Sequence, residues 1–206
     1  MKHLYPMEKR IQLIRLVEEH TVAFKEEMQE AFQHGFQAYN KDDSEEDSNQ
    51  WQVLPDEDFY RSLRAEGAEA YEAVDADGQR EGGAIITIDN LTHEGKLAFL
   101  YVKVGVQSKG IGQAIWKAIE TMHPEVELWE TCTPYFDRRN IHFYINRCGF
   151  HAVEFFSEHH PDPNMPEQLT EQRGPSSELE RPSRDGRRRS QFDQEDGLFK
   201  FEKRMK

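Results

Sequence analysis

The residues best suited to chemistry form the run Gln107-Ser108-Lys109-Gly110-Ile111-Gly112. It follows an apolar segment that predicts a strand. It leads directly into GIGQAIWKAIETM, whose apolar side chains recur three and four residues apart as in an amphipathic helix. Glycine lets a backbone approach an anionic group closely, and the first N–H groups of a helix have no intrahelical partner. The junction therefore predicts a phosphate-binding site.

Two common nucleotide motifs do not fit this run. A P-loop requires lysine directly after its second glycine, whereas Ile111 follows Gly110. A dinucleotide-binding fingerprint requires a third glycine, but Ile115 occupies that position. The phosphate site must therefore be of another kind.

A second segment runs from Asn140 through Phe143 and Tyr144 to Gly149-Phe150. With Q-x-x-G-x-G between a strand and a helix, this N…FY…GF pattern resembles the GCN5-related N-acetyltransferase (GNAT) superfamily. The resemblance covers nearly all of the chain outside residues 158–195. It implies an α/β (α+β) fold, a mainly antiparallel twisted sheet with helices on both faces, in the order β-α-α-β-β-β-α-β-α-β-β.

The resemblance also implies an acetyl-CoA-dependent N-acetyltransferase that needs no metal. In that family, backbone groups of the strand before the loop bind the pantetheine arm, and the loop binds the pyrophosphate. The corresponding residues here are, for the arm, Tyr101, Val102 and Val104, and for the pyrophosphate, Gln107, Ser108, Lys109, Gly110, Ile111, Gly112 and Gln113.

Tyr144 corresponds to the family's general acid, which returns a proton to the departing thiolate. Many relatives place this tyrosine four residues before the glycine of GF, whereas Tyr144 lies five before Gly149. One extra residue turns a helical side chain by about 100°. The alternative is therefore that Tyr144 is an aromatic residue of the core with a structural role only. Asn140 either caps its helix or binds the cofactor arm.

Glu130 is the first candidate for the base that takes the amine proton, directly or through water. Because strand neighbours face opposite sides, Glu130 and Trp129 cannot both face the site. His93 and Glu94 are rival candidates, and a structural charge at a strand end is the alternative for Glu130. Cys132 has no histidine partner identifiable in the sequence, so a buried thiol is expected rather than a nucleophile.

The elements that must position these residues follow from periodicity and turn signals. Helices are predicted from Thr21 to Gly35 or just beyond, from Asp56 to near Gly67, over 110–122 and over 137–148. Strands are predicted at 11–17, 70–74, 83–88, 97–105, 127–131 and 151–156, and in the final LFKFEKRM.

Composition indicates one domain over residues 1–206 with a disordered insertion. Only 36% of the residues are hydrophobic and the mean hydropathy is −0.88. Residues 158–195 hold five of the nine prolines and almost no large apolar side chain, so they cannot bury enough surface to form a core.

Of the formal charge of −13, residues 1–100 carry −12. This excess of negative charge disfavours nucleic acid as a partner and favours a cationic amine acceptor, because the resemblance places the acceptor groove against the first two helices.

The sequence predicts a cytoplasmic protein outside the membrane. Its two cysteines form no metal-binding motif, and Gln12 and Arg15 interrupt the apolar run at 11–17. A homodimer is possible in this family, and a non-catalytic acyl-CoA sensor is the alternative function.

Overall fold

A computed structural model describes residues 11–39, 53–107, 110–135, 137–157, 159–163 and 197–205. The predicted site residues Ser108 and Lys109 lie outside this part of the chain, as does most of the predicted insertion at 158–195. At the start of that insertion, Ser157 and His160 form an isolated antiparallel bridge.

As predicted, the described part of the chain is a mixed α/β fold. The strands are β1 (Gln12–Arg15), β2 (Ala68–Val74), β3 (Arg80–Asp89), β4 (Glu94–Val102), β5 (Leu128–Pro134), β6 (His151–Phe156) and β7 (Leu198–Arg204). The helices are α1 (Thr21–Tyr39), α2 (Asp56–Leu63), α3 (Ile111–Met122) and α4 (Arg138–Phe143), with a 3-10 turn at Glu18–His20 and a π-helical turn at Tyr144–Cys148.

Several predicted boundaries differ from the structure by a few residues, and two of these differences involve a glycine. Helix α1 continues a full turn beyond Gly35, because a single glycine weakens a helix without ending it. Strand β4 ends at Val102 rather than at residue 105, since Gly105 adopts a left-handed φ of 89° in the turn that follows.

The seven strands form one sheet in the order β1-β2-β3-β4-β5-β7-β6. Every neighbouring pair is antiparallel except β4 and β5, which are parallel. The parallel pair joins the two antiparallel halves at the strand that precedes the predicted phosphate loop.

Strands β4 and β5 stay paired over three residue pairs only, the last being Lys96 with Glu130. Beyond this point the strands separate, and the side chain of Thr131 replaces the next ladder bond, its Oγ1 donating to the carbonyl oxygen of Leu97 at 3.0 Å. Within the described part of the chain, the rest of β4, towards Val102, therefore has no strand partner on its β5 side.

Helices cover both faces of the sheet. On one face α1 and α2 bury a cluster that includes Phe24, Met28, Phe59, Ile85 and Tyr101. On the other face α3 and α4 bury a larger cluster, in which Trp116 meets Trp129 and Phe150 at ring-centroid distances of 5.3 and 4.9 Å. Among the described residues, no helix is both long and apolar enough to cross a membrane.

Replacement of Gly35 by alanine tests whether α1 is continuous. Apart from the backbone of α1 itself, no atom lies within 4 Å of the added methyl group, so we expect a gain of about 0.5–1 kcal/mol in the free energy of unfolding, measured by urea titration. Gly83→Ala is the matched control: its methyl group would lie 2.3 Å from Phe24 Cε2, so stability should fall. A loss of stability in Gly35→Ala would contradict a continuous helix.

Thr131→Val tests the side-chain bond at the point where β4 and β5 separate. The variant keeps the size of the side chain but leaves the buried Leu97 carbonyl without this donor, so unfolding should become easier by about 1–3 kcal/mol. Thr131→Ser retains the hydroxyl, so its free energy of unfolding should fall less than that of Thr131→Val. Equal stability of the valine variant and the wild-type chain in the same titration would show that the bond contributes nothing.

Candidate active site

The N-terminus of α3 presents backbone donors without a side-chain cap. Gly110 occupies the capping position with a left-handed φ of 78°, and the first helical bond inside the turn runs from Ala114 N to Gly110 O at 3.0 Å. The N–H groups of Ile111, Gly112 and Gln113 precede that bond and are available to an anion, in the part of the junction that the structure describes.

Gly112 also lets three elements meet at this point. A methyl group there would lie 3.2 Å from Phe143 Cε2 on α4 and 3.4 Å from Val102 Cγ2 at the end of β4. The absence of a side chain therefore brings the start of α3 against both the end of β4 and the segment that carries Tyr144.

The two glutamines of the loop make internal contacts. Gln107 Nε2 donates to the carbonyl oxygen of Val102 at 3.5 Å, which turns the loop back towards the end of β4. Gln113 Nε2 donates to the carbonyl oxygen of Arg147 at 2.9 Å and so ties α3 to the π-helical turn. The Gln113 side chain is thus engaged, and its backbone N–H is the group left for a phosphate.

Of the three residues predicted to bind the pantetheine arm, two lie on β4 and one lies beyond its end. Tyr101 and Val102 lie on the part of β4 that has no β5 partner. The Tyr101 side chain is 2% exposed and packs under α1, so only its backbone can face the opening. Val104 lies in the turn beyond the end of the strand, so the prediction that it belongs to β4 is wrong.

The extra residue between Tyr144 and Gly149 is accommodated by the π-helical turn. The N–H of Gly149, which ends the turn with a φ of 79°, donates to the carbonyl oxygen of Tyr144 five residues earlier. Such a wider turn absorbs one residue without rotating the preceding helix, and π-helical turns occur often at functional sites. The spacing that put Tyr144 in doubt thus has a structural explanation.

Tyr144 points into the protein and is only 7% exposed. Its ring packs against Phe150 and Phe201, and its side chain lies near Thr131, beside the point where β4 and β5 separate. Burial raises the pKa of Tyr144 above its ordinary value, and the nearby Thr131 hydroxyl opposes this shift only in part. The group therefore keeps its proton at neutral pH.

Asn140 does not cap α4. Asp137 occupies the capping position, and its carboxylate accepts from the backbone N–H of Asn140 at 2.9 Å and from the Asn140 side-chain amide at 2.6 Å. Of the two alternatives for Asn140, the capping role is thus filled by Asp137.

Glu130 lies on the last paired position of β5, on the face opposite to Trp129. Its side chain is 30% exposed, and Lys200 Nζ lies 2.5 Å from its Oε1 and 3.4 Å from Glu202 Oε1. Partial burial lowers the pKa of Lys200, but pairing with Glu130 raises it overall. Glu130 is therefore an ion-paired carboxylate at the edge of the opening.

The rival bases lie further from the opening. Glu94 precedes the last paired residue of β4 by two positions, roughly 7 Å along a strand. His93 lies in the turn before β4, where its carbonyl oxygen accepts from Glu127 N at 2.8 Å. Their positions favour Glu130 as the candidate base.

Neither Cys132, considered from the sequence, nor the surface residue His160 has a catalytic arrangement. Burial raises the pKa of the Cys132 thiol, which makes it a weaker nucleophile at neutral pH. His160 Nε2 pairs with Glu154 at 2.9 Å on the surface. Over the described ranges, no group of three His, Cys, Asp or Glu side chains could hold a metal ion.

Two residues beside the candidate groups were not predicted from the sequence. Thr131 is 1% exposed. It could have been found in the sequence as a polar residue on the buried face of β5, where buried and less buried side chains alternate. Lys200 belongs to LFKFEKR, where charged residues alternate with Phe199 and Phe201. The alternation predicts its face but not that it would meet Glu130.

The sequence profile described as the Acetyltransferase (GNAT) family matches residues 22–150. A relative in Bacillus subtilis (strain 168), described as uncharacterized protein YrkN, is 47% identical over 113 residues, which is 55% of this chain and 60% of that protein. The alignment thus spans less than two thirds of the relative's length.

Solved structures share the fold at low identity. Spermidine N-acetyltransferase from Vibrio cholerae, in complex with CoA and spermine, has a TM-score of 0.57 at 10% identity, with 95% of each chain covered. PaiA N-acetyltransferase from Thermoplasma acidophilum, in complex with coenzyme A, has a TM-score of 0.54 at 18% identity, with 95% and 99% covered. The profile match, which covers more than half of the chain, and the fold agree: the chain belongs to the acetyltransferase (GNAT) family.

Proposed function

We propose that the protein transfers the acetyl group of acetyl-CoA to a primary amine of a cationic acceptor. The observation that carries this proposal is the opening between β4 and β5 beside the uncapped N-terminus of α3. The opening offers strand-like hydrogen-bonding groups to an extended amide chain such as pantetheine, and the helix terminus offers donors to an anion. CoA presents both groups in one molecule.

The proposed donor site assigns each part of CoA to a different element. Backbone groups of Tyr101 and Val102, with those of Val104 in the following turn, bind the pantetheine arm. The pyrophosphate is bound by the loop from Gln107 through Ser108, Lys109, Gly110 and Ile111 to Gly112, and by the N–H of Gln113. Asn140, held by Asp137, is the neighbouring amide available to the arm.

In the proposed reaction the acceptor amine attacks the thioester carbon directly. Glu130 accepts the proton that the amine loses, directly or through one water molecule. The bond from carbon to sulfur then breaks, and Tyr144 donates its proton to the leaving thiolate, giving free CoA and an acetamide. The buried, protonated hydroxyl of Tyr144 beside the opening supports this role.

A cationic acceptor is supported by the acidic first half of the chain. Helices α1 and α2 carry exposed carboxylates, including Glu26, Glu30 and Glu57. Some acidic groups there already have partners: Asp56 pairs with Lys25 at 2.6 Å, and Arg61 pairs with both Glu57 at 3.2 Å and Asp58 at 2.8 Å. The acceptors to compare are a polyamine, an aminoglycoside, and the lysine or N-terminal amine of a peptide.

The transfer reaction is tested by incubating the protein with acetyl-CoA and each acceptor. We expect a mass increase of one acetyl group on a cationic acceptor, matched by release of free thiol, with slower turnover at high salt. A neutral amine of similar size is the control. Thermal stabilisation by acetyl-CoA without thiol release from any amine would contradict the enzyme and favour a non-catalytic sensor.

Tyr144→Phe tests the general acid. The variant retains the ring packing but lacks the proton, so kcat should fall by about 10²–10⁴-fold while acetyl-CoA affinity is retained. Tyr135→Phe is the control, because the Tyr135 ring packs against Phe155 of β6 and Phe199 of β7. In the wild-type chain, any loss of kcat from deprotonation of Tyr144 should begin only above the ordinary tyrosine pKa. Full activity of Tyr144→Phe would exclude this assignment.

Glu130→Gln tests the base in the same assay. The amide keeps the shape of the side chain but is a far weaker base, so kcat should fall, and the loss should be smaller at high pH where more of the acceptor is already deprotonated. Glu94→Gln is the control on the neighbouring strand. A normal rate in Glu130→Gln together with a reduced rate in Glu94→Gln would transfer the role to Glu94.

A further inference from the structure

Glu27 is a carboxylate of α1 that is turned inward, towards the end of β4. Its side chain is 17% exposed, whereas the adjacent Glu26 is exposed. It ion-pairs with Arg80 of β3, with Arg80 Nε 2.9 Å from Oε2, and with Lys103, whose Nζ is 3.0 Å from Oε1. The hydroxyl of Tyr101 also donates to Oε2 at 3.2 Å.

The contacts of Glu27 belong to a longer chain of charged groups. Arg80 also pairs with Glu72, which is 3% exposed, and Glu72 pairs with His20 Nδ1 at 2.9 Å. A buried carboxylate is tolerated only where partners replace its hydration. Removal of one member would therefore leave the others without compensation, so each residue fixes the position of its neighbours.

Two of the residues held by Glu27 flank the proposed binding segment. Tyr101 and Lys103 lie on either side of Val102, the last residue of β4. On the side away from β5, Lys103 N donates to the Glu81 carbonyl oxygen at 2.9 Å. On the β5 side, no described residue pairs with this segment as a strand, so Glu27 supplies from α1 a restraint that a neighbouring strand would otherwise supply.

We propose that Glu27 is a positioning residue for cofactor binding, which holds the Tyr101–Lys103 segment in the conformation that receives the pantetheine arm. This inference rests on the proposed function. It goes beyond it by assigning part of the affinity for acetyl-CoA to a side chain on a different element from the binding loop. Loss of the Glu27 carboxylate should weaken the binding of the pantetheine arm, which lies along the strand. It should not affect the nucleotide, which binds at the loop and the N-terminus of α3.

Two ligands separate this role from general effects on stability or charge. Acetyl-CoA contains the pantetheine arm, whereas adenosine 3′,5′-bisphosphate carries only the nucleotide phosphates. Loss of a positioning contact weakens binding of acetyl-CoA alone, because the arm is missing from the second ligand. A change of charge alone alters the binding of both anionic ligands, which should strengthen when the Glu27 carboxylate is removed and weaken when the Lys103 ammonium is removed. A purely stabilising contact changes the melting temperature without changing either affinity.

The experiment measures both affinities by calorimetry for the wild-type chain, Glu27→Gln and the control Glu26→Gln. We expect Glu27→Gln to bind acetyl-CoA about tenfold more weakly, a change typical of coupled contacts, with an unchanged affinity for adenosine 3′,5′-bisphosphate. Glu26→Gln should match the wild-type chain with both ligands. Equal acetyl-CoA affinity in all three proteins, or an equal loss for both ligands in Glu27→Gln, would overturn the proposal.

Lys103→Met provides a second test, because Lys103 is 42% exposed and its loss should not prevent folding. Lys103→Met should lower the affinity for acetyl-CoA severalfold and leave the affinity for adenosine 3′,5′-bisphosphate unchanged. In the double variant with Glu27→Gln, it should lower the acetyl-CoA affinity little further. Additive losses that affect both ligands would show a direct phosphate contact and overturn the positioning role. A wild-type chain that binds no acetyl-CoA would overturn the proposed function as well, whereas normal wild-type binding with unaltered variants would overturn this inference alone.

Discussion

The structure depends on one local constraint: β4 and β5 separate after three residue pairs. Backbone polar groups require partners, and a parallel pair that stops early leaves a row of them open. The side chain of Thr131 satisfies the Leu97 carbonyl at the point of separation, so the break begins at a defined residue. Everything proposed for the donor site follows from this opening, because the α3 N-terminus, Tyr144 and Glu130 all border it.

Several devices keep the opening from collapsing. Gly112 lets α3 and the Phe143 ring approach the end of β4, and the π-helical turn keeps Tyr144 directed inward despite an extra residue. On the other face, Glu27 attaches the end of β4 to α1. Apolar packing therefore holds β4 on both faces, and ion pairs add to it on the α1 face.

Much of the fold was predictable because its signals are local. The glycines at 110 and 112, the period of α3 and the alternation in β5 depend only on nearby residues, and the predicted mixed α/β fold with a mainly antiparallel sheet is confirmed. Contacts between distant residues were not predictable. Glu130 and Lys200 are 70 positions apart in the sequence, and nothing in either segment signals their pairing. The π-helical turn was also not predicted. An extra residue between Tyr144 and Gly149 can either widen the turn or rotate the Tyr144 side chain, and packing against the rest of the protein decides which occurs.

The central claim is that the open side of β4 receives the pantetheine arm of acetyl-CoA, and amide hydrogen exchange tests it most directly. Exchange followed by mass spectrometry, with and without acetyl-CoA, should show slower exchange in peptides covering residues 97–107 and 110–114. Peptides from β1 and β2, at the far edge of the sheet, should be unchanged. Protection confined to other parts of the chain, with residues 97–107 exchanging at the same rate, would contradict the account.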